Sequence, residues 1–384
     1  MFASNCPDIN PMKILYVITE DWFFHSHFLD RAKFMAASGE TVGIATRFSV
    51  HEEDLKSFGF ALFPVDFSRQ GLNPLMEFIT SLRIRKIIRE FKPDITHNVA
   101  LKPVVTGTFG ELLGRQKVVV NALVGMGYIF TSTDARASLV KPLLSRILKF
   151  LLHSKSVHVV IENPDDLSSL VSDGFVEPSK ISLIRGAGVD LKAFPFHPEI
   201  DGPVVVTLVS RILRDKGVLE FINAATQLRA RLPEVVFQIV GEPDLGNPSA
   251  VPQSEIDSWE SLPNVRYQGR RSDIADILKG SHIVCLPSYR EGLPKSLLEA
   301  LSCGRPIITT DVPGCREVCA DGVNGLLVPA RDSIALSNAI EKLAINPELR
   351  QAMGRAGRLR AESEFSNEIV CAQTLELYRR LLNQ

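Results

Sequence analysis

From Lys13 onward, short apolar runs alternate with longer segments of helical spacing, and this alternation decides the fold class. "KILYVI" (13–18), "TVGIAT", "FALFPV", "DITHNV", "KVVVNAL", "SVHVVI" and "ISLI" each have the length and content of a buried strand. The intervening stretches carry amphipathic helix patterns, such as "HFLDRAKFMAASG" (27–39), which ends at a glycine suited to terminating a helix. Strands apolar on both faces and joined by helices predict a parallel sheet covered on both sides. The alternation pauses at "RGAGVDLKAFPFHPEIDGP" (185–203), rich in Gly and Pro, and restarts with "VVVTLVS", "VVFQIVG", "NVRYQG", "HIVCLP", "PIITT" and "NGLLVP". The expectation is an α/β chain of two Rossmann-like, doubly wound domains, 12–190 and 203–365, joined by a linker at 191–202. Ligands of such sheets sit at the carboxyl ends of the strands, so the cleft between the domains is the expected site.

Composition narrows the class. The chain of 384 residues is 45% hydrophobic and 23% charged, with a formal net charge of −1. That balance suits two ordinary cores and gives no argument for nucleic acid as a partner. Six cysteines show no metal-ligand spacing, and reduced, packed thiols are expected in a cytoplasmic protein. No apolar run reaches membrane-spanning length. "MFASNCPDINP" has no signal-peptide pattern; "MKILYVIT" from Met12 reads like a fresh start, so residues 1–11 are expected to be a disordered extension.

Two segments carry chemistry. In "VSRILRDKGV" (209–218), Arg211, Arg214 and Lys216 occupy a strand-to-helix junction that Gly217 closes. Such cations beside free helix amides suit a diphosphate, although taken alone a solvated basic turn is the readier reading. In "SYREGLPKSLLEALSCGRP" (288–306), Glu291 lies on a turn and Glu299 eight residues later within a helix that Pro294 starts. Helix-start amides near Gly292 to Ser296 would hold phosphates, and the two carboxylates would accept hydroxyl groups of a nucleotide sugar at either end. Spacing alone leaves an exposed turn residue and a solvated helix residue as an equal alternative. "GMGYIF" and "RGAGVD" lack the context of a dinucleotide fingerprint, which disfavours an NAD enzyme.

"SRILRDKG", followed about eighty residues later by "YREGLPKSLLEALSCGRPIITTDVPGCREVCADGVNGLLVP", resembles glycosyltransferase family 4 with its Glu-x7-Glu pattern. "EDWFFHSHFLDRAKFMAASGETV", "NALVGMGYIF" and "GEPDLGNPSAVP" resemble the branch that makes capsule, O-antigen and related lipid-linked glycans. The resemblance implies a GT-B fold and a final helix, 366–384, packed back on the first domain. It implies retaining transfer of a hexose or N-acetylhexosamine from a nucleotide-diphosphate sugar, expected to be a UDP-sugar. Neither metal nor cofactor is expected. It assigns Arg211 and Lys216 to the departing diphosphate and Glu291 to the transferred sugar, these three being the catalytic candidates. Gly292, Leu293, Pro294 and Lys295 fall to the phosphates, Glu299 to the ribose and Arg270, in "GRR", to the base. Val124 stands where many relatives carry a histidine beside the sugar.

On the acceptor side the candidates are His27, His97 and Lys102. A packed or capping histidine remains a serious alternative for the first two, and His25 reads as such; Lys102 could meet an acceptor phosphate or be merely solvated. "ARASLVKPLLSRILKFLLHSK" (135–155) has five Lys/Arg and no acidic residue, with leucines at helical spacing. It reads either as a basic amphipathic helix on an anionic membrane or as an ordinary helix with an apolar core face. The resemblance favours the membrane, because the branch's acceptors are often polyprenyl-diphosphate-linked; the expected location is the cytoplasm or the inner face of the cytoplasmic membrane. Two alternatives stay open: a GT-B nucleotide-sugar epimerase or hydrolase, and a non-catalytic sugar-nucleotide-binding subunit of a polysaccharide assembly complex.

Overall fold

The structure, a computed structural model, describes residues 11–67, 74–112, 118–124 and 135–383. The chain forms two compact units. One contains residues up to Ile161, Leu167–Ile184 and the chain from Cys371; the other contains Glu162–Asp166 and Arg185–Val370.

The first unit is a seven-stranded sheet: β1 (Lys13–Glu20), β2 (Thr41–Arg47), β3 (Ala61–Pro64), β4 (Ile95–Val99), β5 (Val118–Ala122), β6 (Val157–Ile161) and β7 (Ile181–Leu183). Its order is β3-β2-β1-β4-β5-β6-β7, and every pairing is parallel. The second is a six-stranded parallel sheet: β8 (Val205–Val209), β9 (Val236–Val240), β10 (Val265–Tyr267), β11 (Ile283–Leu286), β12 (Ile307–Thr310) and β13 (Gly325–Val328). It runs β10-β9-β8-β11-β12-β13. Both are doubly wound, Rossmann-like parallel sheets.

Strand periodicity explains the layering. In β11, Ile283 and Cys285 enter one core with Phe221, Phe237 and Leu336, while Val284 and Leu286 enter another with Leu297, Leu301 and Phe365. In β12, Ile308 joins the first and Ile307 the second. Successive side chains point to opposite faces, so an uninterrupted apolar strand is stable only with helices on both. The order reverses between β8 and β11 in this unit and between β1 and β4 in the first, which opens a crevice at the carboxyl ends of those strands.

Two local features depart from the sequence reading. The helix expected over 27–39 is shorter, Leu29–Ala37, and a separate helix, Asp21–His27, precedes it. The break at Phe28 (φ −126°, ψ −12°) lets its ring bury against Tyr16 and His97. Residues 191–202, expected as a linker, belong to the second unit. There the Arg305 guanidinium donates to the carbonyls of His197 and Pro198, and buried Arg350 pairs with Glu199 at 2.5 Å. Of the helix Asn367–Leu382, residues from Cys371 onward belong to the first unit, where buried Tyr378 bonds to His97 Nδ1 through its hydroxyl. The expectation for residues 1–11 concerns residues almost all outside the described ones, and all of "GMGYIF" lies outside them too.

Behind β4 and β5, the buried side chains of Asn98, Asn121 and Thr108 bond to one another at 2.9–3.1 Å. The helix Leu101–Leu112 approaches so closely that a Cβ at Gly107 would lie 2.0 Å from Asn98 Oδ1. The same helix buries Glu111, and burial, only partly offset by the Thr96 hydroxyl, pushes its carboxyl up to about 8. The folded protein therefore keeps a proton that the unfolded chain releases above pH 4.5. The stability this contributes is present at low pH and is lost as pH rises to about 8, by roughly 1.4 kcal/mol per unit in mid-window. Glu111→Gln should flatten the fall in melting temperature between pH 5.5 and 8.5; a slope identical to that of the parent protein would remove Glu111 as its source.

Candidate functional site

The switch point of the second sheet gathers two loops, one after β8 and one after β11. Glycine makes their meeting possible. Gly217 has φ +71°, and a Cβ there would lie 2.0 Å from the carbonyl oxygen of Pro287. The loops are then sewn together by backbone: the Tyr289 amide donates to the Asp215 carbonyl at 2.8 Å, as does the buried Ser288 hydroxyl at 3.0 Å. The Tyr289 hydroxyl reaches Glu220 at 2.7 Å, on the helix Val218–Leu228 that Gly217 starts.

This seam brings Lys216 to Glu291, 75 residues apart in sequence, at 2.5 Å, with both side chains largely buried. Glu291 lies just ahead of the helix Lys295–Ser302, whose N-cap is Pro294 and which no side chain caps. The first amides of such a helix lack intrahelical partners and carry partial positive charge. Gly292 stands over this helix start, and two contacts fix its height. Gly314 (φ +79°) packs so close that a Cβ would lie 2.4 Å from the Gly292 carbonyl oxygen. Asn163 donates its side-chain amide to the same oxygen at 2.9 Å.

Glu299, the fifth residue of the helix, points inward and is buried, with Lys295 3.7 Å away. Burial, partly offset by Lys295, raises its carboxyl to about 7. Leu293 turns its side chain into the core, against Gly186, so only its backbone can face a ligand. The other two cations of the β8 loop point elsewhere: Arg211 pairs with Asp244 at 2.8 Å and Arg214 with Glu255 at 2.6 Å. Arg211 is exposed and its pair lies at the surface, where such a bond costs little to exchange. Arg270, beyond the carboxyl end of edge strand β10, is exposed and bonds to Glu242 at 3.2 Å.

Thus Lys216, Glu291, Gly292, Pro294, Lys295 and Glu299 fall around one helix start, with Arg211 on the adjoining loop and Arg270 two strands further along the sheet edge. The arrangement can take an anion on the helix amides and Lys216, with a carboxylate at each end for hydroxyl donors. Sequence reasoning missed Asn163 and buried Asp166, which pairs with Arg290 at 2.6 Å. Both lie in "ENPDD", which is separated from this site by more than 120 residues; its Asn and Asp around a proline were the available signal.

The acceptor-side candidates lie in the first unit and do not form one group. His97, expected on the acceptor side, is instead a packed core residue. It is buried among Tyr16, Phe28 and Tyr378, and burial holds it neutral, well below the ordinary histidine range. Its strand-end position in sequence conceals that the register of β4 turns the ring inward beside Tyr16 of β1. His27 stacks on Phe23 at 4.3 Å, and Lys102 pairs with Glu77 at 3.3 Å.

Residues 191–360 match the family described as glycosyl transferases group 1, and residues 13–165 match glycosyl transferase 4-like. The N,N'-diacetylbacillosaminyl-diphospho-undecaprenol alpha-1,3-N-acetylgalactosaminyltransferase of Campylobacter jejuni is 29% identical over 348 residues, 86% of this chain and 89% of that one. The UDP-Gal:alpha-D-GlcNAc-diphosphoundecaprenol alpha-1,3-galactosyltransferase of Escherichia coli is 28% identical over 293 residues, 71% and 72% of the two chains. Among solved structures, sucrose-phosphate synthase from Thermosynechococcus elongatus superposes with a TM-score of 0.80 at 19% identity, covering 97% and 99%. HepE of Anabaena, in complex with UDP and glucose, superposes with 0.78 at 18% identity, covering 95% and 99%. The chain is a glycosyltransferase, and its residues 191–360 form a group 1 glycosyltransferase domain.

The close approach at Gly217 yields a controlled comparison. Gly322 has nearly the same φ, +73°, with nothing within 4 Å of a built Cβ. Gly322→Ala should cost only the left-handed strain of about 1–2 kcal/mol. Gly217→Ala must also part the two loops, and its loss in a denaturant melt should exceed the control by about 2 kcal/mol or more. Equal losses would mean that the seam is not held by this contact.

Proposed function

We propose that this glycosyltransferase moves a hexose or N-acetylhexosamine, with retention, from a nucleotide-diphosphate sugar, UDP-linked, to a lipid-diphosphate-linked acceptor in surface polysaccharide synthesis. The observation that carries the donor half is the Lys216–Glu291 pair set against an uncapped helix start. Before the donor arrives, each charge satisfies the other. A diphosphate on the helix amides would draw Lys216 away, and Arg211 could swing from Asp244 to join it. Glu291, released, would accept hydroxyls of the transferred sugar, and Glu299 the ribose diol.

In this reading the bond between the anomeric carbon and the β-phosphate oxygen breaks, and the acceptor hydroxyl attacks the same face. Its proton passes to the departing phosphate oxygen, and the nucleoside diphosphate leaves. Lys216, Arg211 and the helix amides stabilise the charge that develops there without calling on a metal ion. Names of the C. jejuni and E. coli relatives, each with a diphospho-undecaprenol-linked acceptor, support the acceptor half. Incubation with polyprenyl-diphosphate glycans and a panel of UDP-sugars tests the whole reading. Acceptor-dependent release of UDP supports it, whereas release that needs no acceptor would favour an epimerase or hydrolase. Excess chelator should leave initial rates at 25 °C unchanged.

The membrane reading gains a second helix. On the helix Ala135–Leu152, Leu143, Ile147 and Phe150 are exposed beside exposed Lys141 and Arg146. Lys149 is instead used by the fold, bonding to the Asp173 carbonyl and lying over Phe175. On the helix Pro74–Phe91, Leu75, Phe78, Ile79 and Leu82 form a further exposed stripe at helical spacing. Apolar stripes flanked by cations suit the surface of an anionic bilayer. Among the described residues, no helix is long and apolar enough to cross a membrane.

Three measurements follow. Glu291→Ala should lower kcat on the order of 100-fold with a smaller change in donor affinity; an unchanged kcat would remove the carboxylate from the transition state. Ribose hydroxyls favour the ionised form of Glu299, so UDP-sugar binding should release a proton and tighten about tenfold from pH 6 to pH 8, a dependence that Glu299→Gln abolishes in calorimetry. Lys141→Glu with Arg146→Glu should reduce co-sedimentation with anionic vesicles; undiminished sedimentation would discard the basic face as a membrane anchor.

A further inference from the structure

The first unit carries a cluster that the transfer reaction does not use. Asp21, the residue after β1, is buried, and its carboxylate accepts four hydrogen bonds from the segment after β2. These come from the amides of Ser49, Val50 and His51 at 2.7–2.9 Å and the Ser49 hydroxyl at 2.5 Å. These four bonds pin the segment against the helix Asp21–His27.

Pinning brings together residues far apart in sequence. The His51 ring stacks on the His25 ring at 4.0 Å and 14°. Asp54, in the first turn of the helix Glu52–Ser57, meets His25 Nε2 at 3.0 Å. One ligand atom from each of His25, His51 and Asp54 lies within 4.8 Å of the other two, and this is the one such group of His, Cys, Asp and Glu among the described residues. The neighbouring carboxylates Glu52 and Glu53 are both paired with Lys56, at 3.0 and 2.8 Å.

We propose that His25, His51 and Asp54 form a binding site for a borderline divalent transition-metal ion, with Zn²⁺ the best match. Two imidazoles and one carboxylate are a preferred donor set for that ion, and water completes a tetrahedral shell. Ligands at 2.0–2.1 Å from a tetrahedral centre stand roughly 3.3 Å apart. His25 and Asp54 are already closer than that, at 3.0 Å, and the three ligand atoms lie within 4.8 Å of one another, so closure requires the His51 ring to leave its stack and turn toward the ion. The side chains of His25 and Asp54 are 35% and 46% exposed, which leaves an entry path and room for the water. The ion would tie the helix after β1 to the segment after β2 at the carboxyl edge of the first sheet, and so stabilise that edge rather than take part in the transfer. The donor site, which lies wholly in the second unit, does not depend on it.

The test uses tag-free full-length protein, chelator-stripped and desalted. Co²⁺ should bind one equivalent with a visible d–d absorption, and Zn²⁺ should displace it and raise the melting temperature. His25→Ala and His51→Ala should each abolish the absorption and the rise, and Asp54→Asn should weaken Zn²⁺ binding about tenfold, or 1.4 kcal/mol. Absence of Co²⁺ absorption up to about 1 mM metal, or undiminished Zn²⁺ binding in the His25→Ala/His51→Ala double variant, would overturn the proposal. Should a histidine variant fail to fold, Asp54→Asn and the parent spectrum decide: unaltered affinity in that variant, or a spectrum without nitrogen ligation, counts against the site. Because these readouts need neither donor nor acceptor, their outcome is independent of the transfer reaction.

Discussion

Everything proposed for the donor site rests on one close contact between backbones, that of Gly217 with the carbonyl of Pro287. A left-handed residue without a Cβ lets the β8 loop sit directly on the β11 loop. From that follow the bonds from Tyr289 and Ser288 to Asp215, then the meeting of Lys216 and Glu291, then the height of Gly292 over the helix start. The charges themselves contribute less to holding the loops, since the cost of desolvating a largely buried ion pair offsets much of its Coulombic gain. Backbone sets the geometry, and the ion pair keeps two otherwise costly charges satisfied until a ligand replaces one partner.

The two units use buried polar groups differently. In the second, buried side chains brace loops: Thr309 donates to the Leu286 carbonyl and Thr310 to that of Ser288, so the end of β12 supports the β11 loop from below. In the first, they cement the interior. Asn98, Asn121 and Thr108 form a closed set behind the sheet, and His97 with Tyr378 ties a strand to a helix 281 residues away. Neutral histidine suits that position because an imidazolium there would have no water and a nearby Arg31 of like charge.

The strands were legible because their information is local. Each run from "KILYVI" to "NGLLVP" is apolar over strand length and bounded by turn residues, and the structure forms a strand at each. The turn and helix holding Glu291 and Glu299 were equally legible, with the helix starting at Lys295, one residue after the proline that signals it. What escaped depends on contacts distant in sequence. Nothing near Lys216 says that it meets Glu291, nothing in "ENPDD" says that Asn163 reaches Gly292, and nothing in "ITHN" says that a tyrosine near the C-terminus closes over His97. Even the 191–202 stretch, which by composition resembles a flexible connection, is held by Arg305 and Arg350, whose role appears only after the chain has folded around it.

The membership of Tyr378 in the first unit bears on the order in which the protein can fold as it leaves the ribosome. Synthesis runs from the N-terminus, yet the first unit lacks the partner of His97 until the chain beyond Cys371 has emerged. The second unit needs nothing later than Val370, so the half made second has all its residues first. Through most of translation the nascent first unit has Tyr16 and His97 without the residue that buries them. That is the interval in which an incomplete α/β sheet is most exposed to misassembly and to chaperones.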